Sequence, residues 1–257
     1  MNDKFSNQFS TFAIALQFMT RLPGLSRAGW TAERERASVG YYAAAGLVIG
    51  SIAAIAYWLA SQLFPPLLSS LVAVAAASLV TGALHEDGLA DVCDGVGGGQ
   101  TRDRALAIMR DSRIGAYGTL GLIVFVGAKV VALSSLPAAI AMAALAGGHA
   151  VSRAAIPGIL ATADYARSEG GAASSVAERP SPQVWAVTGL TMAMLIAASL
   201  LIMPFGAIVY AFAGAGVLTL AMRQMFMRKL GGYTGDCLGA VQQAGELGFY
   251  LGLAAWV

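Results

Sequence analysis

Charged residues are scarce in this chain. Of its 257 residues, only 12% are Asp, Glu, Lys or Arg, whereas 57% are apolar. A water-soluble domain has about a quarter of its residues charged, because its surface faces water. The composition therefore excludes an ordinary soluble domain, and its hydrophobicity excludes a disordered chain. It indicates a protein whose main solvent is the lipid bilayer.

Cysteines and runs of basic residues are also scarce. Cys93 and Cys237 are the two cysteines, too few for a disulfide scaffold. A net charge of +2 without a basic run excludes a dedicated nucleic-acid-binding protein. The chain also lacks the G-x-x-x-x-G-K-[ST] run of P-loop nucleotide-binding proteins. What remains is a single integral membrane domain over residues 1–257.

Seven apolar stretches are long enough to cross a bilayer, which takes about 20 residues. They cover residues 39–63, 67–84, 117–136, 138–161, 184–203, 205–222 and 237–256. The first six stretches form three successive pairs. Prolines separate the two members of each pair, and a longer polar segment follows each pair. The pattern predicts an all-α polytopic membrane protein with about seven transmembrane helices, arranged as three hairpins plus a final helix.

Residues 1–38 precede the first span and do not resemble a cleaved export signal, because Arg21 and Pro23 follow a short apolar run. Phe12, Leu16 and Met19 recur at helical spacing. This spacing predicts an amphipathic helix at the membrane surface.

The basic residues are distributed unevenly. All of the 16 Lys and Arg residues except Lys129 and Arg153 lie outside the predicted spans. By the positive-inside rule, the N-terminus and the segments 85–116, 162–183 and 223–236 are expected in the cytoplasm, and the C-terminus outside.

The densest acidic cluster follows the second span. If the helix continues there, Asp87, Asp91 and Asp94 fall on one narrow face. Like charges at this spacing repel, so a bound divalent cation is expected, and carboxylate oxygens suit Mg²⁺ or Mn²⁺. His85 lies on the opposite side of that helix. It is either a hydrogen-bonded packing residue or, if the helix breaks, a general base.

Four arginines follow within a dozen residues of one another: Arg102, Arg104, Arg110 and Arg113. Arginines beside metal-binding carboxylates are typical of phosphoryl transfer. Arg102 and Arg104 either bind phosphate or form ion pairs within the segment. Asp111 is either a further metal ligand or an orienting group for the nucleophile.

A late polar segment precedes the final span. Asp236 lies at the start of that span, where it is either a helix N-cap or a functional carboxylate that binds metal or a substrate hydroxyl.

Four ionisable residues lie within predicted spans and are expected to face the bundle interior: Lys129, His149, Arg153 and Glu246. Arg153 and Glu246 lie at similar depth, so they are candidates for a pair. Lys129 either joins the interior or extends towards the membrane surface, and His149 either marks close helix packing or contributes to the buried charges.

Several separated motifs resemble the cobalamin synthase family, the adenosylcobinamide-GDP ribazoletransferases. They are HEDGLADVCDG at 85–95, RDRALAIMRDSR at 102–113, GGYTGDCLGA at 231–240 and TRLP at 20–23. The resemblance implies a Mg²⁺-dependent enzyme of the bacterial inner membrane. Such an enzyme joins adenosylcobinamide-GDP to α-ribazole, or to its 5′-phosphate, and releases GMP. Glu86 departs from the apolar residue of some relatives.

The candidate site follows from the motifs and the resemblance together. The expected metal ligands are Asp87, Asp91 and Asp94, and the catalytic candidates are His85, Asp111 and Asp236. The substrate-binding candidates are Arg21, Arg102, Arg104, Arg110, Arg113, Arg153 and Thr234. The competing hypotheses are a cation-coupled secondary transporter and another membrane-embedded phosphotransferase, and the oligomeric state stays open.

The orientation is testable by cysteine labelling. We expect an impermeant thiol reagent to label a cysteine at Ser135 or at the C-terminus in intact cells. A cysteine at Ala172 should react only after permeabilisation, because its segment is predicted to be cytoplasmic. Labelling of the Ala172 position in intact cells would reverse the orientation.

Overall fold

The computed structural model describes residues 2–23, 29–167 and 178–257. The all-α prediction is confirmed. The helices are α1 (Asn2–Met19), α2 (Ala32–Ser38), α3 (Tyr42–Ser61), α4 (Pro66–Thr81), α5 (Leu84–Gly98), α6 (Arg102–Ile108), α7 (Ala116–Ser134), α8 (Ala138–Ala154), α9 (Ile156–Thr162), α10 (Pro182–Ser199), α11 (Phe205–Leu230) and α12 (Gly235–Trp256). A 3₁₀ turn at Val39–Tyr41 joins α2 to α3.

The polytopic membrane class is confirmed, whereas the number of spans is not. In the described residues, five helical stretches are long and apolar enough to cross a membrane: Ala32–Ser61, Ala116–Ser134, Ala138–Thr162, Pro182–Ser199 and Phe205–Leu230. A sixth span requires α4 and α5 to cross the membrane together as one span, and the axes of these two helices are bent by 92° relative to each other. The predicted seventh span, α12, is less apolar because Gln242, Gln243 and Glu246 lie along it.

Three helices begin at or directly after the prolines that the sequence places between apolar stretches. α4 begins at Pro66, α8 follows Pro137, and α11 follows Pro204. Packing does not simply follow these hairpins, however. α8 packs most extensively against α3, and α10 packs against the 3₁₀ turn, α3 and α8. A short connection makes two helices antiparallel, but complementary side chains decide which helices pack together.

The final helix α12 lies at the centre of the molecule. It packs against α11, α5, α8 and α7, and residues 237–250 are buried. Gly214 of α11 lies against Gly248 and Gly252, where an added Cβ would approach backbone atoms within 3.2 Å. Small residues of this kind allow close helix contact within membranes.

The polar side chains of α12 meet buried charges from α7 and α8. Lys129 Nζ lies 2.9 Å from Glu246 Oε1 and donates to Gln243 Oε1 at 2.7 Å. His149 Nδ1 lies 3.3 Å from Glu246 Oε2, and Arg153 donates to the His149 carbonyl at 3.0 Å. Lys129 therefore joins the interior and is the direct partner of Glu246. The expected direct pair of Arg153 with Glu246 is replaced by these contacts.

The N-terminal helix forms as predicted, but its apolar stripe packs on protein. Leu16 and Met19 are buried, and the Phe12 ring lies 6.0 Å from that of Tyr41. The helix α1 therefore packs on α2, the 3₁₀ turn and α3.

The predicted cytoplasmic segments are more helical than expected. Segment 85–116 contains most of α5 and all of α6, and segment 223–236 includes the end of α11. Residues 168–177 of segment 162–183 lie outside the described residues. Because α5 carries four carboxylates in 15 residues, we place it at the membrane margin, where water can solvate them.

The buried pair of Lys129 with Glu246 is expected to contribute strongly to stability. Glu246→Leu should lower the free energy of unfolding by about 3–5 kcal/mol, because it leaves a buried ammonium group without a carboxylate. The double variant Lys129→Met, Glu246→Leu should recover part of that loss. Thermal unfolding in detergent measures both effects. The matched control is Glu178→Leu, which removes an exposed partner of Arg36 and should have little effect. Equal stability of Glu246→Leu and the control would contradict this role.

Candidate functional site

A break between α4 and α5 positions the acidic helix. Gly82 ends α4 with φ of 63°, and Ala83 follows with φ of 58°. A Cβ at position 82 would lie 1.9 Å from Arg21 Nε and would displace that side chain, and the left-handed backbone angle itself favours glycine. For Ala83, which is not a glycine, this left-handed conformation costs about 1–3 kcal/mol of backbone strain. The helix therefore does not continue straight from the second span, as the sequence suggested, but restarts across the bundle.

The start of α12 crosses α5 at Gly88. A Cβ there would lie 2.8 Å from the Asp236 carbonyl oxygen and 3.0 Å from its Cα, so the two backbones meet closely. This crossing places Asp236 beside Asp87 and Asp91. We call these three residues the carboxylate trio. Asp87 is exposed, and Asp91 and Asp236 are partly buried, so all three reach solvent.

The surroundings of Asp91 disfavour its charged form. Burial, followed by the negative charges of Asp236 and Asp87, raises the pKa of Asp91 to about 7. The two neighbouring carboxylates therefore add to burial in disfavouring a negative charge on Asp91.

Asp94 faces a different neighbour. It is buried, and its two carboxylate oxygens accept the backbone N–H groups of Gly115 at 2.7 Å and Gly118 at 2.9 Å. These are unpaired donors at the start of α7, so Asp94 caps that helix from outside. The structure thus gives Asp94 a structural role. Asp236 lies beside Asp87 and Asp91, where the sequence predicted Asp94.

Two adjoining clefts are lined by Asp87, and the smaller one is also lined by Asp236. One of about 520 Å³ lies between the end of α1 and the α4–α5 break, and Arg21 and Asp87 line it. The other, of about 120 Å³, is lined mostly by apolar residues, with Asp87, Asp236 and His85. Asp87 lies at their junction. A polar and an apolar cleft that meet at carboxylates suit a substrate with a phosphate group and a less polar part.

The four clustered arginines have different roles. Arg102 donates to the carbonyls of Leu230 at 2.8 Å and Ala166 at 2.6 Å, so it joins three segments. Arg104 and Arg110 are exposed. Arg113 lies 2.6 Å from Asp111, and its hydrogen bonds hold the pKa of Asp111 well below the ordinary value. Asp111 is therefore a stable carboxylate and a weak base.

Three further candidates are buried. His85 lies against the apolar cleft, which favours the packing interpretation. Thr234 is the N-cap of α12, because its hydroxyl accepts a hydrogen bond from the Cys237 N–H. The interpretation of Asp236 as the N-cap is therefore wrong. Arg153 lies within the bundle against His149.

Sequence reasoning missed Arg167. Its guanidinium donates to Asp236 Oδ2 at 2.7 Å across 69 positions of sequence. The residues around it have no helical period and no repeated charge pattern, so no local signal identified it.

The chain matches the model of one protein family, described as cobalamin-5-phosphate synthase, over residues 11–254. It is 43% identical to an adenosylcobinamide-GDP ribazoletransferase of Leptothrix cholodnii, over 96% of this chain and 95% of that protein. Proteins of the same name from Ralstonia nicotianae and Vibrio cholerae are 39% and 37% identical, each over at least 94% of both chains. No solved structure matches the chain.

The different surroundings of Asp94 and Asp87 predict different effects of the same substitution. Asp94→Asn should lower the free energy of unfolding by about 1.5–3 kcal/mol, because an amide replaces one acceptor of a backbone N–H with a donor. Asp87→Asn should change it by less than about 0.5 kcal/mol, since Asp87 is exposed. Denaturation in detergent without divalent cations measures both. Similar stabilities for the two variants would show that Asp94 does not hold α7.

Proposed function

We propose a reaction for this chain, which belongs to the cobalamin-5-phosphate synthase family and is a membrane-bound transferase of cobalamin biosynthesis. It joins adenosylcobinamide-GDP to α-ribazole, or to its 5′-phosphate, with release of GMP. We further propose that it acts at the cytoplasmic face of the bacterial inner membrane. Its segments rich in basic residues and the carboxylate trio would then face the compartment that holds nucleotides.

The observation that carries this proposal is the crossing of α5 and α12 at Gly88. It brings Asp87 and Asp91 close to Asp236. Asp87 lines both clefts, and Asp236 lines the smaller one. Transfer of a phosphoryl-linked group depends on positioning and on neutralising charge on oxygen atoms, both of which this arrangement supports.

We propose that Asp87, Asp91 and Asp236 hold Mg²⁺. The donor chemistry fits, because Mg²⁺ binds through one or two carboxylates together with substrate phosphates and water. Within the described ranges, no group of three or more Asp, Glu, His or Cys side chains is placed to hold a metal ion by itself, so the proposed cation would need further ligands from substrate phosphates and water. When bound, Mg²⁺ would neutralise the diphosphate oxygens.

The protein's own residues bind and orient the substrates. Arg21 borders the larger cleft beside Asp87 and can donate to a phosphate group. Leu84, Ile156 and Leu238 line the smaller cleft and can exclude water from the reacting groups. In the proposed reaction, a ribose hydroxyl of α-ribazole attacks the cobinamide-side phosphorus, and the bond to GMP breaks in line.

The proposal is tested by the release of GMP. Purified protein supplied with adenosylcobinamide-GDP, α-ribazole and Mg²⁺ should release GMP and form the joined product. Asp91→Asn and Asp236→Asn should each lower turnover by at least about ten-fold, a loss of about 1.4 kcal/mol or more in transition-state stabilisation. Both variants should keep the thermal stability of the parent protein.

The matched control is Asp103→Asn, which removes a carboxylate 93% exposed on α6 and should leave turnover unchanged. Absence of GMP release from the parent protein would refute the proposed activity and leave the transporter hypothesis. Full turnover of Asp91→Asn at limiting Mg²⁺ would remove that residue from the site.

A further inference from the structure

Arg167 contacts the carboxylate trio from a segment that precedes α10. One guanidinium nitrogen, Nη2, donates to Asp236 Oδ2 at 2.7 Å, and the Arg167 side chain is 13% exposed. The same nitrogen approaches the Met109 carbonyl at 3.5 Å. The guanidinium is therefore largely enclosed between the start of α12 and the end of α6.

The backbone around Arg167 is held from two sides. Tyr165 and Tyr233 form a parallel bridge, with Ala166 N–H donating to the Tyr233 carbonyl at 2.8 Å and Tyr233 N–H to the Asp164 carbonyl at 2.9 Å. Arg102 donates to the Ala166 carbonyl. Because these bonds hold the chain immediately before Arg167, the backbone of this residue is kept near the start of α12 independently of its own ion pair.

The position of the guanidinium conflicts with a cation at the trio. Asp236 Oδ2 already accepts a hydrogen bond from the guanidinium, and a guanidinium repels a divalent cation at short range. Arg167 also has an incomplete set of partners among the described residues, where its buried Nε–H has no acceptor. A buried donor of this kind is costly until an acceptor arrives.

We propose that Arg167 is a diphosphate-binding residue that neutralises Asp236 in the empty site and transfers its hydrogen bonds to a substrate phosphate when the divalent cation binds. The inference rests on the proposed function. Nε–H and Nη2–H of arginine form a planar pair of donors that matches two oxygens of one phosphate. The cation would then take Asp236 while the arginine takes the anion beside it.

Two binding measurements test this role without catalysis. In the first, Mn²⁺ is titrated into detergent-purified protein without nucleotide. Arg167→Gln should bind Mn²⁺ more tightly than the parent protein, because a competing positive charge has been removed. In the second, GDP is titrated in the presence of Mg²⁺. Arg167→Gln should bind GDP at least about ten-fold more weakly, since it loses charged hydrogen bonds to phosphate.

Arg167→Lys separates charge from geometry. It keeps a positive charge near Asp236, so its Mn²⁺ affinity should stay close to that of the parent protein, whereas its GDP affinity should fall. The matched control is Arg36→Gln, which removes an arginine bonded to Glu178 away from the trio and should alter neither affinity. Arg167→Lys also tests the proposal if Arg167→Gln does not fold.

The outcomes distinguish this inference from the proposed function. Weaker or unchanged Mn²⁺ binding by Arg167→Gln, or unchanged GDP binding by either variant, would limit Arg167 to attaching its segment to α12 and would overturn the inference. The proposed function would survive that result if the parent protein releases GMP. Failure of the parent protein to release GMP, in contrast, refutes the activity whichever way the affinities change.

Discussion

The contact between α5 and the first turn of α12 is the constraint on which the candidate site depends. At Gly88 the two backbones approach so closely that a side chain would collide with Asp236. This contact places carboxylates from two helices at one cleft, although their negative charges repel each other. The break at Gly82 and Ala83 also makes this contact possible, because it turns α5 away from the direction of α4.

The buried charges explain why the central helix is also a polar one. Glu246, Gln242 and Gln243 lower the hydropathy of α12. Lys129 contacts Gln243 and Glu246, His149 contacts Glu246, and Gln242 donates to Ser152 and Glu246. Buried charges favour packing arrangements in which each one finds a partner, which helps to select among otherwise similar apolar contacts. The position of α12, and with it that of Asp236, therefore depends on polar contacts deep in the bundle as well as on the apolar surface.

The candidate site was predictable in part. Asp87 and Asp91 share a helical face and were identified by spacing, and Asp236 was recognised as a carboxylate with two possible roles. Asp94 shares that face, but the start of α7 uses both of its oxygens. Helical spacing places side chains along one helix and carries no information about which other element approaches each of them.

The class of protein and most helix boundaries follow from local properties: apolar length, proline positions and the scarcity of charge are all readable along the chain. The packing partners of α8 and α10, the pairing of Lys129 with Glu246 and the role of Asp94 required the folded structure. The approach of Arg167 to Asp236 spans 69 positions and depends on a backbone bridge at Tyr233. Contacts of this kind arise from the mutual fit of distant segments, which no short stretch of sequence encodes by itself.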